Sequence, residues 1–221
     1  METRYILLEN QWIEYQLIKE KRKSLAMKVE KGQLIVKAPY ITSIDFIEES
    51  LVRYQKRLLK QIKSYEPYYD YQNHGYVDIF HQRYDIIVRD IQKKQCQIHD
   101  QSLYVYHHSI QQTVEMFLKQ KLLDYIKERI IYYLAYEFDL DMPEIAIKKY
   151  KGRWGCCFYD NNKVIFNLSL VHLEKDLIDY VIVHELTHFL QANHSPRFYN
   201  EMAKRMPDYK QRQKRLKEKH V

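Results

Sequence analysis

The 221-residue sequence predicts an α+β protein in two parts, a β-rich N-terminal region with one long helix over 1–108 and a helical C-terminal domain over 109–221. The second part is expected to set a β-hairpin or small sheet beside one apolar helix. Three observations lead there. Apolar residues recur at every second position through much of the first 40 residues, which is strand spacing, and recur at helical spacing over 42–62 and 109–138. Two β-rich runs then precede the stretch VIVHELTHFLQANHSPRFY at 181–199, which places three histidines and a glutamate in an apolar setting.

The elements follow in order. Ile13, Tyr15 and Leu17, then Leu25, Met27 and Val29, then Leu34 and Val36 before Pro39 alternate as in an antiparallel meander with one solvated face. Thr42 or Ser43 is a candidate N-cap, with Asp45 and Glu48 in the first turns, and Phe46, Ile47, Leu51, Val52, Leu58, Leu59 and Ile62 form one helical stripe. Pro67 and a run of tyrosines end it. Strand-like pieces return at 76–80, 84–88, 96–98 and 103–106. A second long helix starts at Ser109, with Val114, Phe117, Leu118, Leu122, Leu123, Ile126, Ile130 and Leu134 on its stripe, and runs to about Phe138. After Pro143 come Ile145 and Ile147, then RWGCCFY at 153–159, the link DNNK and VIFNLSL at 164–170, which read as a hairpin. The apolar helix begins near Asp176, and one or two short helices close the chain. With only 4 glycines and 5 prolines, long regular elements and few special turns are expected.

Charge and cysteine content narrow the function classes. A net charge of +7 suits DNA or another polyanion as a partner, because clustered Lys and Arg release counterions from a phosphate backbone. The clusters are KEKRK at 19–23 and KQRQKRLKEKH at 210–220, for which a solvated surface is the competing explanation. Cys96, Cys156 and Cys157 cannot form a disulfide framework. The start METRYILLENQWIEYQ has no basic segment followed by an apolar one, and no run approaches the roughly 18 apolar residues of a membrane span. A cytoplasmic protein that does not enter membranes is therefore expected.

In HELTH, His184 and His188 are four residues apart, so a helix stacks their rings on one face where they can grip one ion. Glu185 sits about 100 degrees round the same helix, beside that ion. His194 follows His188 by six residues, so the helix must break for it to return. QAN is the expected break, with Asn193 tolerating left-handed geometry and Ser195-Pro196 opening the next helix as N-cap and N1. Three neutral imidazoles leave one tetrahedral position for water, the arrangement of a catalytic rather than a structural zinc. Glu185 is then the candidate general base and Zn²⁺ the expected cofactor.

HELTHFLQANHSPRF, preceded by RWGCCFYDNNKVIFNLSLVHLEKDLIDYVIV, resembles the YgjP-like zinc metallopeptidases, whose motifs run R-x-WGSC, I-x-LN-x-x-L, then HEL-x-H, five residues and HSP-x-FW. The resemblance is close over 153–199 and extends to the general layout of the β-rich N-terminal region. It implies a zincin-like metallopeptidase domain, His184, His188 and His194 as zinc ligands, Glu185 as catalytic base, and a protein or peptide substrate. The family's metal site is similar to that of SprT-type proteases, which act on proteins crosslinked to DNA. Here Cys156 replaces the family serine, Cys157 matches its cysteine, Phe158 replaces a small polar residue and Tyr199 its final tryptophan.

Other assignments remain open on the sequence. An extended peptide can add as a strand beside 153–158, or that hairpin is core sheet only. Tyr199 and Arg197 are candidates for stabilising an oxyanion, with helix packing as the alternative. Asn167 either supports a ligand histidine or satisfies a strand edge. Metzincin proteases place glycine where Gln191 stands. YbeY-like ribonucleases have three histidines at this spacing without the glutamate, and peptide deformylases take a cysteine as third ligand. A basic nucleic-acid-associated adaptor with a structural zinc is the non-enzymatic rival.

Overall fold

A computed structural model describes residues 1–63, 67–89 and 91–219. By their contacts they divide into two compact units, Met1–Pro67 and Tyr68–Lys219. The division falls well before the boundary at 108/109 expected from the sequence. Its cause is the core of the second unit, where Val77, Ile79, Ile86, Leu103 and Val105 from strands share one buried cluster with Val114, Leu118 and Leu122 of the following helix.

In the first unit, β1 (Glu2–Leu8), β2 (Gln11–Glu20), β3 (Ala26–Glu30) and β4 (Gln33–Pro39) form a sheet in the order β1-β2-β4-β3. This is not the expected meander, because β2 and β4 run parallel. Period-two alternation specifies which face of a strand is buried and says nothing about its neighbour. Ser43 caps α1 (Ile44–Arg53), its hydroxyl accepting from Phe46 N at 3.3 Å, and the helix stops at Tyr54 before α2 (Gln55–Lys63). The expected single helix is thus two. Ile47, Leu51, Leu58 and Leu59 close on Leu8, Tyr15, Leu17, Leu34 and Val36, whereas Phe46 and Val52 of the expected stripe are exposed.

The second unit opens with β5 (Tyr69–Asp70), β6 (Tyr76–Ile79), β7 (Gln82–Val88), β8 (Cys96–His99) and β9 (Ser102–Val105), ordered β5-β6-β7-β9-β8. α3 (Ile110–Tyr136) packs its buried stripe on β8 and β9, on a 3₁₀ segment (Leu168–His172), on β10 (Glu144–Lys148) and on α4 (Lys175–Thr187). β11 (Gly155–Phe158) pairs antiparallel with β12 (Lys163–Asn167), the hairpin the sequence predicts, and β10 runs parallel on the other side of β12. That leaves β11 at the sheet edge. α5 (Pro196–Arg205) and α6 (Tyr209–Lys217) pack against α4. Among the described residues no helix is long and apolar enough to cross a membrane.

Tight turns are more common than the glycine content suggests. Glu9 and Asn10, Lys31 and Gly32, and Phe80 and His81 all have positive φ and join successive strands, the geometry of two-residue hairpin turns that follow strand twist. Each non-glycine in this region costs on the order of 1 kcal/mol, which the flanking strand pairs offset.

Candidate metal centre

α4 is buried on nearly every side, by Leu177, Ile178, Val181, Ile182, Val183 and Leu186. A helix held this firmly presents His184 and His188 on one face with little freedom. It ends at Thr187, with His188 as its cap in right-handed geometry. The chain then turns through short-range bonds, His188 N to Glu185 O, Phe189 N to Leu186 O and Leu190 N to Thr187 O. Asn193 is not left-handed, contrary to expectation, because this tightened last turn has already redirected the chain. Ser195 caps α5 and Pro196 takes the first helical position, as the sequence predicts.

That return brings the three imidazoles together. One ring nitrogen from each of His184, His188 and His194 lies within 4.8 Å of the others. His184 Nε2 faces His194 Nε2 at 3.0 Å, close to the roughly 3.3 Å expected between two nitrogens that share a tetrahedral ion at ~2.0–2.1 Å. His188 Nδ1 lies 3.2 Å from the backbone oxygen of Gln191, so this nitrogen donates and Nε2 is left as the lone-pair donor. His184 Nδ1 is buried without a hydrogen-bond partner. In the metal-free chain, burial first and then the neighbouring histidines push the His184 imidazole down to about 3. Burial also lowers His188, against the opposing Gln191 bond. Neutral imidazole is the ligating form, so the donor set fits a divalent cation.

Phe198, which the sequence reading did not single out, forms the floor. Its fully buried ring lies 5.0, 4.7 and 4.8 Å from the rings of His184, His188 and His194. The available signal was its place three residues after a Ser-Pro helix start. Thr187 fixes α5 against α4, its hydroxyl donating to Val183 O at 2.7 Å and touching Met202 Sδ at 3.3 Å. Tyr199 stacks on His194 at 6.3 Å and on Tyr209 at 6.0 Å.

Glu185 lies against β11. It is 6% exposed, and a Cβ added at Gly155 would meet its Oε1 at 2.6 Å. Burial raises its carboxyl to about 8, opposed by a hydrogen bond from the Cys157 backbone and by the charge of Arg153. The Asn167 side chain hydrogen-bonds backbone groups and not the histidines. Its amide donates to Tyr150 O at 3.0 Å and Arg153 O at 2.8 Å, tying the approach to β11 onto the end of β12. A family model described as YgjP-like, metallopeptidase domain matches residues 23–219.

The chain belongs to the YgjP-like metallopeptidase family. As a metallopeptidase it works with a divalent metal ion, and among the described residues His184, His188 and His194 form the group placed to hold one. Comparison with curated proteins gives no match. Among solved structures, the metallopeptidase zymogen abylysin of Pyrococcus abyssi is similar over 43% of this chain and 90% of its own, at 20% identity and a TM-score of 0.36.

Proposed function

We propose that this metallopeptidase is a zinc-dependent endopeptidase in which His184, His188 and His194 hold the ion and Glu185 is the general base. The observation that carries the reading is the convergence of the three ring nitrogens within 4.8 Å at the end of the helix that carries Glu185. Three imidazoles without a thiolate or further carboxylate suit zinc. When bound, zinc supplies Lewis-acid activation of water and polarisation of the scissile carbonyl.

The remaining chemistry belongs to the chain. Glu185 takes a proton on its carboxylate from the attacking water and delivers it to the departing nitrogen. The Cys157 N–H orients that carboxylate and the bare Cα of Gly155 makes room for it. Because β11 is an edge strand packed on α4, an extended peptide adds beside it. Phe198 keeps the ligand rings from rotating. The net charge of +7 suits substrates held on a polyanion such as DNA.

Metal analysis of the purified chain, paired with a proteome-wide digest of wild type against Glu185→Gln, tests this. Zinc at one equivalent and cleavage that disappears with Glu185→Gln are expected. Another metal, or cleavage that survives the substitution, overturns it.

A further inference from the structure

The chain's cations are not distributed as the sequence suggests. In the basic C-terminal segment, Arg212 binds Asp208 and the backbone of Asp176, Arg215 binds the Asp176 carboxylate, and Lys219 binds Glu174 at 3.1 Å. His220, at its end, lies outside the described residues. Much of that charge is therefore neutralised within the fold. Residues 1–67, by contrast, hold 13 Lys and Arg against 9 Asp and Glu, +4 of the chain's +7.

Within that unit, a concavity of about 590 Å³ is lined by Lys23, Arg53 and Arg57, and none of the described residues lining it is acidic. All three cations are exposed. Beside them stand Phe46 and Tyr54, residues 54% and 47% exposed. Folding accounts for neither the exposed Phe46 nor the cation at Arg57. Phe46 sits on a helix whose buried side is Ile47, Ser50 and Leu51. Arg53 at the C-terminal end of α1 complements that helix dipole, but Lys56 and Arg57 occupy the first turn of α2, which has no acidic residue, and there a cation opposes the dipole. A bound anion relieves that repulsion. Guanidinium forks match phosphate oxygens, and exposed aromatic faces stack on bases irrespective of sequence.

We propose that Arg53, Arg57, Phe46 and Tyr54 form a binding site for single-stranded nucleic acid on the N-terminal unit, the arginines on phosphates and the rings on unstacked bases. A strand is favoured over a duplex because paired bases do not offer their faces. The site shares no residue with the metal centre, so binding does not require peptidase activity.

The test is fluorescence anisotropy of the full chain with an oligothymidylate of about 12 nucleotides, a length within the usual range of such sites. Wild type and Glu185→Gln should bind alike. Arg53→Gln/Arg57→Gln should weaken binding at least tenfold and reduce the slope of log affinity against log salt by about 1.4, roughly 0.7 for each phosphate contact on a single strand. Phe46→Ala/Tyr54→Ala should weaken it about tenfold without changing that slope. Lys210→Gln/Lys214→Gln, in the C-terminal helix, should change it less than twofold. Unchanged affinity in either of the first two double variants overturns the proposal. Tighter binding of a duplex, or of polyphosphate, than of the oligonucleotide also overturns it.

Discussion

Gly155 and Glu185 meet where β11 crosses α4, and no side chain fits between them. A Cβ on Gly155 would lie 2.6 Å from Oε1, 2.8 Å from Cγ and 2.9 Å from Cδ of Glu185. The glycine's φ is unremarkable, so the constraint is one of space and not of backbone freedom. The hairpin edge therefore sets how far the carboxylate reaches from its helix.

Gly155→Ala should push the carboxylate aside while leaving the histidines in place. We expect kcat to fall roughly 100-fold, since displacements near 1 Å at a reacting group cost about that much, with a loss of ~1–3 kcal/mol from overpacking. Steady-state peptide kinetics, thermal unfolding and metal content check this. Normal kcat in a folded, metal-loaded variant would show that Glu185 position is immaterial.

Glu185 also sets a pH dependence of the metal-free protein. Its folded pKa, about 8, lies above the ordinary value of 4.5 because burial disfavours the charge. For a raised carboxyl the stability is fully present below about 4.5 and is lost as pH rises through about 8. Metal-free Glu185→Gln should therefore equal wild type near pH 4 and be more stable than it at pH 8. Urea unfolding across that range with a chelator present measures the difference, and parallel curves contradict the assignment.

His172 acts in the acid range. Burial lowers its pKa below the ordinary 6.5, its Nδ1 lies 2.6 Å from the Asp78 backbone oxygen, and it stacks on Tyr68 at 5.3 Å. A depressed imidazole contributes stability that is present above about 6.5 and is lost as pH falls towards the folded value, because the unfolded chain binds the proton first. His172→Gln should be less stable than wild type at pH 8 and lose less on acidification to pH 5. Equal losses in both proteins would assign the acid sensitivity elsewhere.

Asp179 is the hub between α3 and α4. It accepts from Tyr125 OH at 2.8 Å, from Arg129 Nε at 3.1 Å on each oxygen and from Tyr133 OH at 3.2 Å. Asp179→Asn leaves a partly buried guanidinium without its counter-charge and should cost ~3 kcal/mol. Arg129→Met/Asp179→Leu, which removes both charges, should cost much less. Denaturant titrations of the two variants decide it, and similar losses in both would mean that packing rather than charge is involved.

Added zinc should raise the melting temperature of wild type and of Glu185→Gln in a concentration-dependent way, since a ligand that binds only the folded state stabilises it by mass action. The increment should vanish in His184→Ala/His188→Ala. Differential scanning fluorimetry in a zinc series shows this directly.

The legible parts of the site were those written in local spacing. His184 and His188 share a face because a helix repeats every 3.6 residues, and Ser195-Pro196 begins α5 because of cap chemistry. The β11–β12 hairpin was legible from its two β-rich runs. Phe198 under the three rings, the contact of Gly155 with Glu185 and the role of Asn167 in tying the loop at 150–153 were not, since each joins residues from separate elements.

The sequence by itself determined the classes of element, the α+β character, the histidine spacing and the family motifs, all of which depend on neighbours within about one helical turn or strand pair. Tertiary structure decided the rest. It placed the unit boundary at 67/68, because strands at 69–105 bury their apolar face on α3, and it ran β2 parallel to β4, because alternation is blind to partners. It also spent much of the C-terminal charge on acidic groups around α4 while leaving Arg53 and Arg57 facing solvent. Charge counts add along a chain, but ion pairs form only where folding brings opposite signs together.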